Sequence, residues 1–250
     1  MKTNWSPDQA RRAYAIPNWS DGYIDVAEDG QLLVRPRGSE GPEISLNQLA
    51  NEAHREGLRL PLLVRFPDIL KHRLQSIRNA FTEALEYHQY PARYNSVFPI
   101  KTNQQHTVVK SLVEEEGLGL EVGSKPELIT AIAMGKADRL LICNGYKDPE
   151  YIRLALIAKR LGMRVIIVIE MPGELDLIER EAKRLQVEPE LGVRLRLSVT
   201  PSGNWQDSGG ERAKFGLSAS QILHLLETIK AKGHLQWLCM LHIHMGSKKT

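Results

Sequence analysis

The sequence predicts an α/β fold: a parallel barrel of the (β/α)8 type, of which these 250 residues supply about six strands, preceded by a small β/α segment. Three observations predict it. First, six short apolar runs recur at 97–100, 118–122, 140–143, 165–169, 191–197 and 238–244. Second, segments of helical length separate them, and strands alternating with helices make right-handed βαβ units around a parallel sheet. Third, the runs end on Lys101, Glu121, Asn144, Glu170, Arg196 and His244, all polar or charged. Barrel strand ends converge on one mouth where chemistry sits, whereas an open sheet gathers its ligand at a single switch point. Polar residues on all six ends therefore favour the barrel.

The elements follow in order. Residues 1–60 read as loop-rich, with a hairpin turning at Asp29-Gly30, a dipeptide suited to tight turns. From 67 to 88 the apolar residues Ile69, Leu70, Leu74, Ile77, Phe81 and Leu85 keep the three-and-four spacing of a helix. Residues 1–94 thus form an N-terminal segment contributing to a β-domain, with a packing helix, and 95–250 the partial barrel. Within the barrel, Ser124 with Glu127 and Ser218 with Gln221 read as capping boxes. Asp148 before Pro149 opens a further helix, which Gly162 stops.

Composition narrows the function. The chain is 42% hydrophobic and 25% charged, ordinary for a folded domain, and its formal charge of +3 is too small and too evenly spread for a nucleic-acid footprint. No stretch approaches the roughly 18 apolar residues of a membrane span. The N-terminal residues lack a secretory apolar core. Cys143 and Cys239 lie in apolar runs and read as reduced, buried residues. A cytoplasmic location follows.

The motifs carry more. "GLGLEVG" (117–123) resembles a dinucleotide fingerprint, but its spacing is one residue too long and it contains a strand where it should follow one. The polar loop 201–216 lacks the Gly-Lys-Ser/Thr ending of a P-loop and reads as a lid or mobile segment. His242 and His244 share a strand face, but no further His or Cys cluster completes a zinc site. Lys101 ends the run "VFPI". An ammonium there either snorkels to water or serves chemistry, because burying it unpaired is costly.

These stretches, "VFPIKTNQ", "LGLEVGSKPEL", "CNGYKD", "GVRLRL", "GNWQDSGGERAKFGL" and "LHIHMGSK", occur in the order found in the biosynthetic arginine decarboxylases, which the chain resembles from about Ala13 to Ser247. The resemblance implies a pyridoxal 5'-phosphate enzyme with an alanine-racemase-like barrel, converting L-arginine to agmatine and carbon dioxide on the route to putrescine and spermidine. By that likeness Lys101 carries the cofactor as a Schiff base, and His244 stacks on its ring. Glu121 lies near the ring hydroxyl, Ser247 helps hold the phosphate, and an arginine of the fifth barrel strand faces the cofactor. Arg194 and Arg196 both match that last position; Arg196 is preferred. A desolvated lysine suits the role, since the attacking amine must be neutral.

The resemblance also implies Mg2+ and a homo-oligomer with shared active sites. Chains of that family are much longer. The glycine-rich phosphate loop, the acidic partner of the pyridine nitrogen and the C-terminal β-domain fall outside these residues. Lys248 stands where the family has glutamine, and no residue selective for the guanidinium can be named. A related basic amino-acid or diaminopimelate decarboxylase, or a non-catalytic fragment, are the alternatives; the 250 residues alone are expected to be inactive.

Overall fold

The computed structural model describes residues 5–197 and 215–244. They fall into two compact units, Met1–Tyr94 and Asn95–Thr250.

The first unit is less loop-like than its sequence suggests. It begins with α1 (Pro7–Ala13) and α2 (Ile16–Ser20), followed by a three-stranded antiparallel sheet. Its strands β1 (Ile24–Val26) and β2 (Leu32–Val34) form the expected hairpin, and Gly30 turns it at φ +88°. Strand β3 (Ile44–Ser45) and α3 (Leu46–Arg55) were not anticipated, and neither were α1 and α2. The reason is local. α1 is short and polar with no buried residue, whereas α3 does carry an apolar stripe, Leu46, Leu49, Ala50 and Ala53 at helical spacing, which is only half-buried. Ser6 and Ser45 start them by accepting hydrogen bonds from the backbone of Gln9 and Gln48. α4 (Pro67–Tyr87) follows as expected.

The second unit holds six parallel strands in strictly sequential order: β4 (Val97–Pro99), β5 (Gly119–Val122), β6 (Leu140–Cys143), β7 (Arg164–Ile169), β8 (Glu190–Leu195) and β9 (Leu238–Ile243). No strand order reverses, so there is no doubly-wound switch point. The connections are α5 (His106–Val113), α6 (Lys125–Met134), α7 (Pro149–Arg160), α8 (Glu174–Leu185) and α9 (Ala219–Ala231).

Side chains alternate across the sheet and create two apolar layers. Leu120, Leu141, Ile167 and Leu191 pack outward against helix residues such as Leu128 and Ile178. Ile142, Ile166 and Val168 pack inward with Val97 of β4 and Met240 of β9. Residues of the first and last strands thus share one inner cluster, so the sheet curls as a barrel wall does; the described strands leave that barrel incomplete.

The caps match their local signals, with one change. Ser218 and Gln221 form the full reciprocal box, and Asp148 accepts from Tyr151 N at 2.8 Å. At α6 the Glu127 carboxylate reaches Gly123 N (2.8 Å) and the Ser124 hydroxyl (3.0 Å). The reciprocal bond therefore lies one residue earlier than in the expected box. Cys143 is buried, and burial pushes its thiol pKa up to about 12. Cys239, expected to be buried, is exposed. It is the extra residue at a register shift between β8 and β9, the latter an edge strand of the described sheet, and its thiol meets Leu191 O at 3.5 Å.

Candidate active site

The period of two decides what faces the mouth. Val97 is inward on β4, and Lys101 follows in the turn just after that strand. A Cβ on Gly119 would meet Val97 and Leu140, so Gly119 is inward on β5 and Glu121 shares its face. Ile142 leads in the same way to Asn144, Val168 to Glu170, and Met240 to His242 and then His244. On β8, a Cβ on Gly192 would meet Met240, Val168 and Ile166, which makes Arg194 the next inward residue.

The electrostatics agree. His244 has its pKa lowered first by the burial it has, then by the positive charges of Arg194 and Lys101, while Glu121 and Glu170 oppose that. His242 is lowered by burial and Arg194, against the same two carboxylates. Charges of Glu121, Glu170 and Arg194 therefore act on both histidines, and Lys101 acts on His244, just past the end of β9. The structure brings Lys101, Glu121 and His244 to one mouth.

Lys101 occupies a 3-10 turn, Ile100–Thr102, directly after β4, an edge strand of the described sheet. It is exposed rather than desolvated. Glu121 is partly buried. Arg194 lies on the inner face of β8, two residues before Arg196, the arginine expected to face the cofactor. Its Nη1 donates to Glu170 Oε1 at 2.8 Å, and its guanidinium lies 5.8 Å from the Phe215 ring centroid. Arg194 also faces His242 across the β8–β9 ladder. Arg196 lies just past β8, where its backbone N–H bonds Leu217 O at 2.9 Å and its Cα and Cβ crowd Gly216. Ser247 lies outside the described residues, as do residues 201–214 of the expected lid.

Glu170 is the residue that reading strand ends one at a time undervalued. Its carboxylate is fully buried, taking Arg194 on one oxygen and Gly145 N (3.1 Å) on the other. The available signal was its place at the end of β7; its partner lies 24 residues away.

Two buried polar atoms at these strand ends have no partner among the described residues: Asn144 Oδ1 and His242 Nδ1. Such atoms are costly unless something polar meets them. A primary amine, an imidazole ring, a carboxylate and these two unmet polar atoms together fit a polar aromatic cofactor such as pyridoxal phosphate. Among the described residues no group of three His, Cys, Asp or Glu is arranged to hold a metal ion, and no helix is long and apolar enough to cross a membrane.

Comparison with known proteins gives this geometry its family. Residues 74–250 match the pyridoxal-dependent decarboxylase family, pyridoxal binding domain. The chain is 49% identical over 248 residues to a biosynthetic arginine decarboxylase of Xanthomonas campestris pv. campestris, covering 98% of this chain and 39% of that protein. It is 49% identical over 255 residues to the enzyme of the same name from Shewanella woodyi, covering 98% and 40%. The crystal structure of the biosynthetic arginine decarboxylase from Campylobacter jejuni superposes with a TM-score of 0.81 at 29% identity, over 93% of this chain and 38% of that one. A diaminopimelate decarboxylase structure from M. jannaschii shares the fold, with a TM-score of 0.69 at 22% identity over 91% and 49%. The chain spans about two fifths of the length of the curated relatives it matches. With its lysine, carboxylates and histidines at the ends of strands of one parallel sheet, the chain belongs to the pyridoxal-dependent decarboxylases and matches their pyridoxal binding domain.

Proposed function

We propose that the protein containing this chain removes the α-carboxylate of L-arginine, giving agmatine and carbon dioxide, with pyridoxal phosphate attached to Lys101. The observation that carries the reading is the convergence of Lys101, Glu121, Arg194 and His244 from four strands on one mouth. The naming of relatives 49% identical over 98% of the chain supports the choice of substrate. Bound pyridoxal phosphate supplies the electron sink as the bond from Cα to the carboxylate breaks. Lys101 holds the cofactor through its amine, and its exposed turn leaves that amine accessible.

His244 offers a ring face, and burial together with Arg194 and Lys101 biases its imidazole toward the neutral form. Glu121 supplies a hydrogen-bond acceptor at the ring's polar edge. Arg194, oriented by Glu170, brings positive charge to the mouth. Arg196 remains the second candidate for the arginine facing the cofactor, and Ser247 is assigned to its phosphate by resemblance. A homo-oligomer with shared sites, a cytoplasmic location, Mg2+ dependence and a place in putrescine and spermidine synthesis belong to the same reading.

The test is to reduce the cofactor-loaded full-length protein with borohydride, map the labelled peptide, and measure carbon dioxide release from carboxyl-labelled arginine, ornithine, lysine and diaminopimelate. Label on Lys101 and release from arginine are expected. Label on Lys110 or Lys125 sinks the site, and preferential release from another substrate sinks the substrate.

A further inference from the structure

One buried ion pair beneath the mouth takes no part in the chemistry above. Lys147, in the stretch "CNGYKD", has a fully buried side chain, and Glu174, at the first turn of α8, is 6% exposed. Lys147 Nζ lies 3.5 Å from Glu174 Oε2 and donates to Gly145 O at 2.7 Å. Such a pair is a poor device for stability alone, because well-packed apolar residues in its place often serve as well or better.

What sets this pair apart is where both ends attach. Glu174 Oε2 accepts from Glu170 N at 2.8 Å and Met171 N at 3.4 Å, so it fixes the backbone that carries Glu170. Lys147 holds the carbonyl of Gly145, whose N–H donates to the Glu170 side chain. Glu170 is thus gripped at its backbone by Glu174 and at its carboxylate by a residue that Lys147 restrains. Its other oxygen orients Arg194.

We propose that Lys147 and Glu174 are positioning residues of the active site: the pair clamps the ends of β6 and β7 and, through Glu170, sets Arg194 at the mouth. The proposal rests on the reading that Arg194 faces the cofactor. Among the described residues no hydrogen bond or ion pair joins either of them to Lys101, Glu121, Arg194 or His244, so their effect passes through Glu170. Misplacing a group in an active site by about 1 Å costs on the order of 100-fold in rate, even when the altered residue is remote.

The test uses the full-length protein loaded with pyridoxal phosphate, in the variants Lys147→Met, Glu174→Gln and the two combined. Thermal midpoint, cofactor loss on dialysis (followed by its visible absorbance), kcat and KM are measured for each. Either single variant should lower the midpoint, because it leaves a buried group without its partner. The combined variant should recover most of the midpoint yet still lose cofactor faster and show kcat/KM roughly 10- to 100-fold below the parent. In an Arg194→Ala background, adding Glu174→Gln should change cofactor retention no further, since coupled residues are not additive.

A combined variant that retains cofactor and turns over like the parent overturns the proposal. So do equal effects of Glu174→Gln with and without Arg194. Failure of all three variants to fold assigns the pair to folding alone and overturns it too. A parent protein that takes up no cofactor on Lys101 refutes the functional reading instead, before any variant is compared.

Discussion

At the scale of single residues, the mouth is built from charges whose partners differ in burial. Glu170 is fully buried and Arg194 is 17% exposed, so their contact is screened far less than a surface pair. Glu170→Ala should cost about 3–5 kcal/mol, the usual result of removing one partner of a buried pair. Urea unfolding reads this directly, and a loss below about 1 kcal/mol would show that Arg194 finds water or another acceptor. The two histidines separate by role. His244→Ala should weaken cofactor retention by about 0.5–1.5 kcal/mol, the worth of ring stacking beyond burial. If His242→Ala is the damaging change and His244→Ala is silent, the stacking ring has been misassigned.

Both histidines have pKa values below the ordinary 6.5, first through burial and then through neighbouring positive charge. The unfolded chain therefore binds protons that the folded chain resists. Their contribution is complete above about pH 6.5 and is lost as pH falls from there through the lowered folded values. A stability-against-pH curve should slope downward on that acid side, and replacing both with glutamine should flatten it.

At the scale of elements, the turn after β6 is the most constrained segment of the mouth. Gly145 adopts φ +78°, and a Cβ there would lie 2.2 Å from Gly123 O. Gly145→Ala should therefore destabilise by more than the roughly 1–2 kcal/mol of left-handed strain alone, and should disturb the Gly145–Glu170 bond as well. Unfolding at parental denaturant concentration with unchanged cofactor retention would contradict this. The caps are milder. Ser218 accepts from Gln221 N at 3.3 Å at the start of α9, and Ser218→Ala should cost about 1 kcal/mol by the same measurement.

At the scale of the whole molecule, β4 and β9 stand at the two edges of the described sheet. Edges with unpaired backbone groups invite pairing with other chains. Leu241 and Ile243 on β9 are 60% and 43% exposed, adding an apolar surface. The 250-residue polypeptide expressed alone should therefore self-associate, and with added pyridoxal phosphate should release carbon dioxide from arginine only at background. Gel filtration and the labelled-substrate assay check both. Turnover within about tenfold of a full-length relative would show that this portion is catalytically sufficient, against the general finding that even one preorganised contact is worth on the order of 100-fold.

By itself the sequence determined the alternation of strands and helices, the caps at Asp148 and Ser218, and the presence of a polar residue at each strand's end. These are written within a few residues of one another: side-chain period and first-turn hydrogen bonds need no distant partner. The tertiary structure alone decided that Arg194 faces His242, that Cys239 is exposed, and that Glu170 is buried beside Arg194. It also decided that Lys147 meets Glu174. Arg194 and Arg196 have the same parity along the chain, so no local pattern separates them. Strand register and the course of the chain beyond β8 do so, aligning Arg194 with a carboxylate 24 residues earlier and turning Arg196 against Gly216. Lys147 and Glu174 are 27 residues apart, and only the parallel packing of β6 and β7 brings their charges together where little water can screen them.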